Sequence, residues 1–315
     1  MDGGDFSVGS LIQALYTTQA AELRTMGAMG YDAVTVGNHE FDGTGSGFGE
    51  MLTAARRSGD VTPALLLANY RPEEDSLDLQ RAMAAYGVEE SLLLERGGVT
   101  YGIFGLMGRD AHACAPTSGF VLEDPVRAAR RCVERLEEQG AEVIVCLSHG
   151  GTSPDGTSED EELARAVEGI DLIVSGHTHT ALEEPILAGE TYIVSAGEYG
   201  KNLGSVTLSW NEAGEKTLTD YRLIPLDGTW ESDPEIAALA DYVYEHVFVH
   251  YTMKQWGQTP EEIDPNTTAR VPVFLSRDDR YFQDAYQGMP LEAIPSCSSG
   301  CWTTPASQWS WGRTP

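Results

Sequence analysis

The stretch Asp32-Ala-Val-Thr-Val-Gly-Asn-His-Glu-Phe-Asp42 decides how this chain is read. Ala33 to Val36 is a short apolar, β-branched run, which reads as a buried strand, and Gly37 ends it. Asn38, His39, Glu40 and Asp42 crowd directly behind it. A plain strand-to-helix turn needs one glycine and one capping side chain, not an amide, an imidazole and two carboxylates. In open α/β sheets the carboxyl ends of strands are where ligands sit. Strand ends are therefore where this chain should carry its chemistry.

Two further stretches repeat the arrangement. Val143-Ile-Val-Cys-Leu147 delivers Ser148-His149-Gly150-Gly151, and Asp171-Leu-Ile-Val-Ser175 delivers Gly176-His177-Thr178-His179. A fourth buried run, Ala64-Leu-Leu-Leu-Ala, ends in Asn69. Apolar spacing predicts helices over 10–29, 46–58, 124–139, 158–167 and 233–252. Gly97-Gly98 predicts a hairpin between 92–95 and 99–107, and strands follow over 192–196, 203–210 and 217–226. Helices and strands that alternate, then a strand-rich segment, imply a layered α/β (α+β) domain with two packed sheets.

Composition narrows the function. The net charge of −29, with 20 Lys+Arg against 49 acids, argues against a nucleic acid polymer as partner and is read as a solvated acidic surface. Five cysteines form no paired framework, and Cys132 and Cys146 fall in apolar segments as core thiols. No apolar run is long enough for a transmembrane span. The opening Met-Asp-Gly-Gly-Asp has neither the basic nor the apolar region of a signal peptide. Residues 266–315 hold four arginines and four acids, so the whole −29 lies ahead of them. Residues 1–265 read as one domain and 266–315 as a poorly ordered appendix.

Seven histidines are present, and His39, His149, His177 and His179 stand just beyond buried strands. Imidazole nitrogens with carboxylate and amide oxygens suit Zn, Mn or Fe rather than Ca, which prefers all-oxygen cages. His177-x-His179 can aim two imidazoles at neighbouring points and so serve two ions. A two-metal site clamps the attacking and leaving oxygens of an in-line displacement, so the reaction class is metal-assisted phosphoester hydrolysis. His112 reads as a surface residue, and His246 with His250 as an ordinary helix face.

Gly4-Asp5, Gly37-Asn38-His39-Glu40, Ser148-His149-Gly150-Gly151 and Gly176-His177-Thr178-His179, in that order, resemble calcineurin-like metallophosphoesterases. Asn38 to Asp42 and Glu198-Tyr-Gly-Lys-Asn-Leu-Gly204 are similar to the bacterial 5′-nucleotidase and 2′,3′-cyclic-nucleotide phosphodiesterase branch. The resemblance implies a four-layer α/β/β/α sandwich and hydrolysis of a small nucleotide by in-line attack of hydroxide. Asp5 would bridge two divalent metals; Asn38, His149 and His177 would complete one shell, and His179 would serve the other. His39 would stabilise the transition state or protonate the leaving alkoxide, oriented and kept charged by Asp42. Asp42 also reads as a helix cap, and Glu40 stays open between motif and turn residue.

The family pattern begins with an Asp-x-His motif that has no match here. The expectation is therefore an N-terminally truncated domain that binds one metal well and a second poorly. Arg277 to Pro290 hints at the start of a C-terminal nucleotide-binding domain, and the composition after it is unlike one. Alternatives stay open: a catalytically inactive fragment, or an enzyme for 2′,3′-cyclic nucleotides or nucleotide sugars. The chain is expected to be a monomer, and relatives of this kind are extracellular, cell-surface or periplasmic.

Overall fold

A computed structural model of the chain describes residues 1–7, 11–153, 158–211, 214, 216–227, 229, 230 and 249. The chain divides into two compact units, Met1–Val273 and Phe274–Pro315, and all described residues belong to the first. The helix expected over 233–252 (Val249 apart), residues 266–315, His246, His250, Cys297 and Cys301 lie outside the described residues.

In chain order the strands are β1 (Ala33–Val34), β2 (Ala64–Leu65), β3 (Tyr70–Pro72), β4 (Ser91–Arg96), β5 (Val99–Met107) and β6 (Phe120–Leu122). Then come β7 (Val143–His149), β8 (Leu172–Ser175), β9 (Ile186–Ala188), β10 (Thr191–Val194), β11 (Asn202–Trp210) and β12 (Lys216–Pro225). Six of them build one sheet in the order β4-β5-β7-β8-β10-β9, with β5, β7, β8 and β10 parallel. β1 and β2 pair in parallel, β11 and β12 form an antiparallel hairpin, and β3 pairs with β6. The helices are α1 (Tyr16–Gln19), α2 (Ala21–Ala28), α3 (Thr44–Ser58), α4 (Leu77–Tyr86), α5 (Arg109–Cys114), α6 (Pro125–Glu138) and α7 (Glu159–Ala166).

Alternation along β7 shows the layers. Ile144 and Cys146 pack with Ala129, Cys132 and Leu136 of α6 and Leu163 of α7. Val143, Val145 and Leu147 pack with Ala33 of β1, Leu66 after β2, and Val206 and Leu218 of the β11–β12 hairpin. Val34 and Leu65 face the other way, onto Leu23, Met26, Phe48 and Leu52 of α2 and α3. Helix, sheet, sheet, helix is the four-layer α/β/β/α order expected. A strand covered on both faces has no polar alternation, hence the continuous apolar run of β7, buried at every residue. Gly97 and Gly98 take φ of 64° and 81°, as a two-residue hairpin turn of this hand requires. Cys132 and Cys146 are fully buried core thiols.

One expectation about these elements fails. The helix over 10–29 is broken at Ala20, whose φ is 46°, into a 3-10 turn, α1 and α2. The apolar spacing fits each piece, but the bend lets the Tyr16 hydroxyl donate to the Glu40 carbonyl at 2.8 Å while Leu23 stays in the core. α4 was not foreseen, because Leu79 is its only buried residue and leaves too narrow a stripe to read. Among the described residues no helix is long and apolar enough to cross a membrane.

Glu22 of α2 is 5% exposed, and both its carboxylate oxygens lack a hydrogen-bond partner. Burial first, then the charge of Glu40, pushes it up to about 7, and the Tyr16 phenol lies within its field. The folded state thus holds this proton more tightly than the unfolded chain. Stability is full below the ordinary carboxylate range and is lost as pH rises through about 7. Glu22→Gln should melt higher than the parent at about pH 8, by about 3 °C per kcal/mol of ionisation cost relieved, and nearly level with it at about pH 4. Equal differences at both pH values would refute this.

Candidate metal centre

The centre begins with a strained loop. Gly4 and Asp5 take φ of 95° and 62°, and the left-handed region costs a non-glycine residue about 1 kcal/mol. Glu40 holds it there. Fully buried, Glu40 accepts from the N–H groups of Asp5 (2.9 Å) and Gly37 (2.6 Å) at Oε2 and of Ser7 (3.0 Å) at Oε1. Burial and the Asp5 charge push its carboxyl up to about 7, against the pull of the amides. The question left open for Glu40 is answered: it clamps the Asp5 loop to the end of β1.

Four of the expected ligands converge. Asp5 Oδ1 accepts from the His39 N–H at 2.9 Å, and Oδ2 lies 3.0 Å from His149 Nε2. His149, fully buried at the end of β7, donates Nδ1–H to the Gly3 carbonyl at 2.7 Å, which leaves Nε2 facing Asp5. That approach has ion-pair distance but not hydrogen-bond geometry, for Nε2 is a buried atom without a hydrogen-bond partner. Burial opposes charge on both groups, yet their mutual field wins, with Asp5 below the usual carboxylate range and His149 above the usual imidazole range. A field that draws a proton between them would equally draw a cation.

His177 follows β8 with φ of 70°. Its Nδ1 is 3.1 Å from Asn38 Oδ1 and its Nε2 is 2.9 Å from Asp110 Oδ2. Donation of Nε2–H to Asp110 turns the Nδ1 lone pair toward the amide oxygen. Ligand atoms of Asp5, His149 and His177 all lie within 4.8 Å of one another. A carboxylate and an amide oxygen facing two imidazoles fit a Zn, Mn or Fe ion. Each imidazole is oriented through its other nitrogen, by the Gly3 carbonyl and by Asp110, as metal-ligating histidines generally are.

The other predicted residues lie outside this group. His179, at φ 55°, places Nδ1 3.1 Å from Glu198 Oε2, and Lys201 Nζ binds the other Glu198 oxygen at 2.8 Å. His39 Nδ1 is 3.0 Å from Asp42 Oδ2, and the His39 side chain is 37% exposed. Gly43, not Asp42, stands at the start of α3 and no side chain caps it, so the capping alternative for Asp42 is not used. The sequence reading missed Asp110, and it took Glu198 only as part of the 198–204 motif, without a role. Asp110 lies in Arg109-Asp-Ala-His-Ala-Cys114, where only His112 drew notice. His112 is no bare surface residue: its Nδ1 is 3.1 Å from the Tyr70 hydroxyl and its ring packs edge-on to Tyr70.

Two buried acids of α7 brace the histidine loops. Asp160 accepts from the Ser148 hydroxyl at 2.6 Å, and that hydroxyl oxygen accepts from Gly150 N–H at 3.1 Å. Glu161 accepts from the Thr152 hydroxyl at 2.6 Å, and Thr152 N–H donates to the Thr178 hydroxyl at 3.2 Å. The turns after β7 and β8 are therefore tied to one helix end.

Residues 2–181, more than half of the chain, match the calcineurin-like phosphoesterase family. The chain belongs to that family. This phosphoesterase is 30% identical over 263 residues to the trifunctional nucleotide phosphoesterase protein YfkN of Bacillus subtilis, a match covering 75% of the chain and 17% of the relative. It is 30% identical over 236 residues to a probable 5′-nucleotidase of Treponema pallidum, covering 68% of the chain and 37% of the relative. The crystal structure of a 5′-nucleotidase precursor from Thermus thermophilus superposes with a TM-score of 0.62 at 26% identity, over 79% of this chain and 50% of that one. The phosphoesterase thus spans less than half the length of these two sequence relatives. Separately, residues 246–296 match the UDP-galactopyranose mutase family, a stretch that apart from Val249 lies outside the described residues.

Proposed function

We propose that this domain hydrolyses nucleotide phosphoesters with a divalent metal held by Asp5, Asn38, His149 and His177, and that Asp5 and His179 serve a second ion held more weakly. The convergence of Asp5, Asn38, His149 and His177 carries the reading, above all the buried Nε2 of His149, which faces Asp5 without hydrogen-bond geometry. Metal bound there would supply Lewis acidity toward phosphoryl oxygens and a nucleophile at neutral pH.

The chain's own residues supply the rest. Glu40 fixes the Asp5 backbone, and Gly3 and Asp110 fix the two ring orientations. With Nδ1 of His39 engaged by Asp42, Nε2 is the nitrogen available to donate a proton to a leaving alkoxide. The partial exposure of His39 leaves substrate a way to it. A nucleotide as substrate is supported by the names of the relatives from Bacillus subtilis and Treponema pallidum. 2′,3′-Cyclic nucleotides and nucleotide sugars remain within the same chemistry, because these residues address phosphate and metal.

Phosphate release from 5′-AMP and 2′,3′-cyclic AMP with Mn²⁺ or Zn²⁺ tests this reading. His39→Ala is expected to lower kcat by about 10²–10⁴-fold while the bound-metal count stays unchanged. Full turnover in His39→Ala would remove it from the mechanism. If metal fails to raise the melting temperature, the metal centre itself is refuted.

A further inference from the structure

His177 offers two nitrogens, and the second faces another set of donors. Asp110 and Cys114 stand four residues apart on α5 and so share one face of it. Asp110 Oδ2 is 2.9 Å from His177 Nε2, and ligand atoms of Asp110, Cys114 and His177 all lie within 4.8 Å of one another. Imidazole, thiolate and carboxylate together are a zinc-type donor set, softer than the Asp5 set because of the sulfur. Asp110 and Cys114 are exposed, so an ion can reach them directly from solvent.

We propose that Asp110, Cys114 and His177 form a further, inhibitory site for a zinc-type ion, one that cannot be filled while His177 serves as ligand beside Asn38. The inhibitory effect rests on the hydrolase reading above; the site does not. A neutral imidazole has one lone pair. With Nε2–H donated to Asp110, that pair is on Nδ1, toward Asn38. An ion bound by Cys114 needs the pair on Nε2, so the ring proton moves to Nδ1, where Asn38 Oδ1 at 3.1 Å accepts it. Cys114 loses its thiol proton to solvent when the sulfur–metal bond forms, so each captured ion releases one proton. The captured ion thereby withdraws one ligand from the first centre.

Cobalt titration of the full chain decides whether the site exists. A thiolate-to-cobalt charge-transfer band is expected in the parent, retained in Asp5→Asn and lost in Cys114→Ser. No band in the parent, or an undiminished band in Cys114→Ser, overturns the site. A band lost in Asp5→Asn would make Cys114 part of the first centre and overturn exclusivity. Turnover then decides the effect: excess Zn²⁺ should inhibit the Mn²⁺-loaded parent, while Cys114→Ser, with unchanged basal turnover, should need at least about tenfold more zinc. Equal inhibition of both overturns the inhibitory role. A chain that shows the band but no turnover keeps the site and overturns only the hydrolase reading.

Discussion

Glu40→Ala is expected to loosen the Asp5 loop and abolish metal binding in one step. Removal of this carboxylate strands three amides, those of Asp5, Ser7 and Gly37. An unsatisfied buried donor costs about 1–3 kcal/mol, and water entering the vacated space relieves part of the sum. A loss of about 3–5 kcal/mol follows, comparable to breaking one partner from a buried charged network. The left-handed backbone at Asp5 would then relax, and its carboxylate would leave His149. Glu40→Gln should recover only part, because its amide NH₂ meets an N–H where an oxygen stood. Chemical denaturation read beside a Mn²⁺ titration checks this, and a stable variant with parental metal affinity would sink it.

Gly37→Ala is expected to spare the fold but remove the centre. A Cβ at Gly37 would fall 2.2 Å from Asp5 Oδ1 and 2.4 Å from both Cε1 and Nε2 of His149. Neither neighbour can yield cheaply. Asp5 Oδ1 holds the His39 amide, and the His149 ring is fixed by the Gly3 carbonyl. A displacement of about 1 Å between reacting groups can cost about 10²-fold, so turnover should fall at least that far, with metal affinity falling alongside. Gly47→Ala is the control: its Cβ would meet only Thr17 Cγ2 at 3.6 Å, inside α3. There alanine should be neutral or stabilising, by up to about 1 kcal/mol. If calorimetry showed equal metal affinity for both variants, close packing around His149 would not matter.

The long elements and three of the residues that converge on Asp5 were legible because each announces itself locally, whereas Asp5 was read only through the family resemblance. β1, β7 and β8 are apolar runs, and the motifs at their ends place Asn38, His149 and His177. What stayed hidden depends on geometry between distant segments. The clamp of Glu40 on the Asp5 loop requires that residues 5–7 lie beside Gly37, which no periodicity expresses. Asp110 is an ordinary helix acid until β8 brings His177 to it. His179 carries the right motif, yet its ring nitrogen meets Glu198, nineteen positions on. The helix over 10–29 misled because apolar spacing records which residues are buried, not whether the axis bends at Ala20.

The bond from His149 to the Gly3 carbonyl joins residues 146 positions apart, and the contact of His177 with Asn38 joins residues 139 apart. Loops of that length close late, after local pairs such as β4 with β5 have formed. The partners of the proposed ion are therefore expected to assemble late, on the native side of the folding barrier. Metal should act as a latch, slowing unfolding while leaving the refolding rate almost untouched. Stopped-flow unfolding and refolding with and without Mn²⁺ would show the separation, and an equal effect on both limbs would mean that the centre forms early.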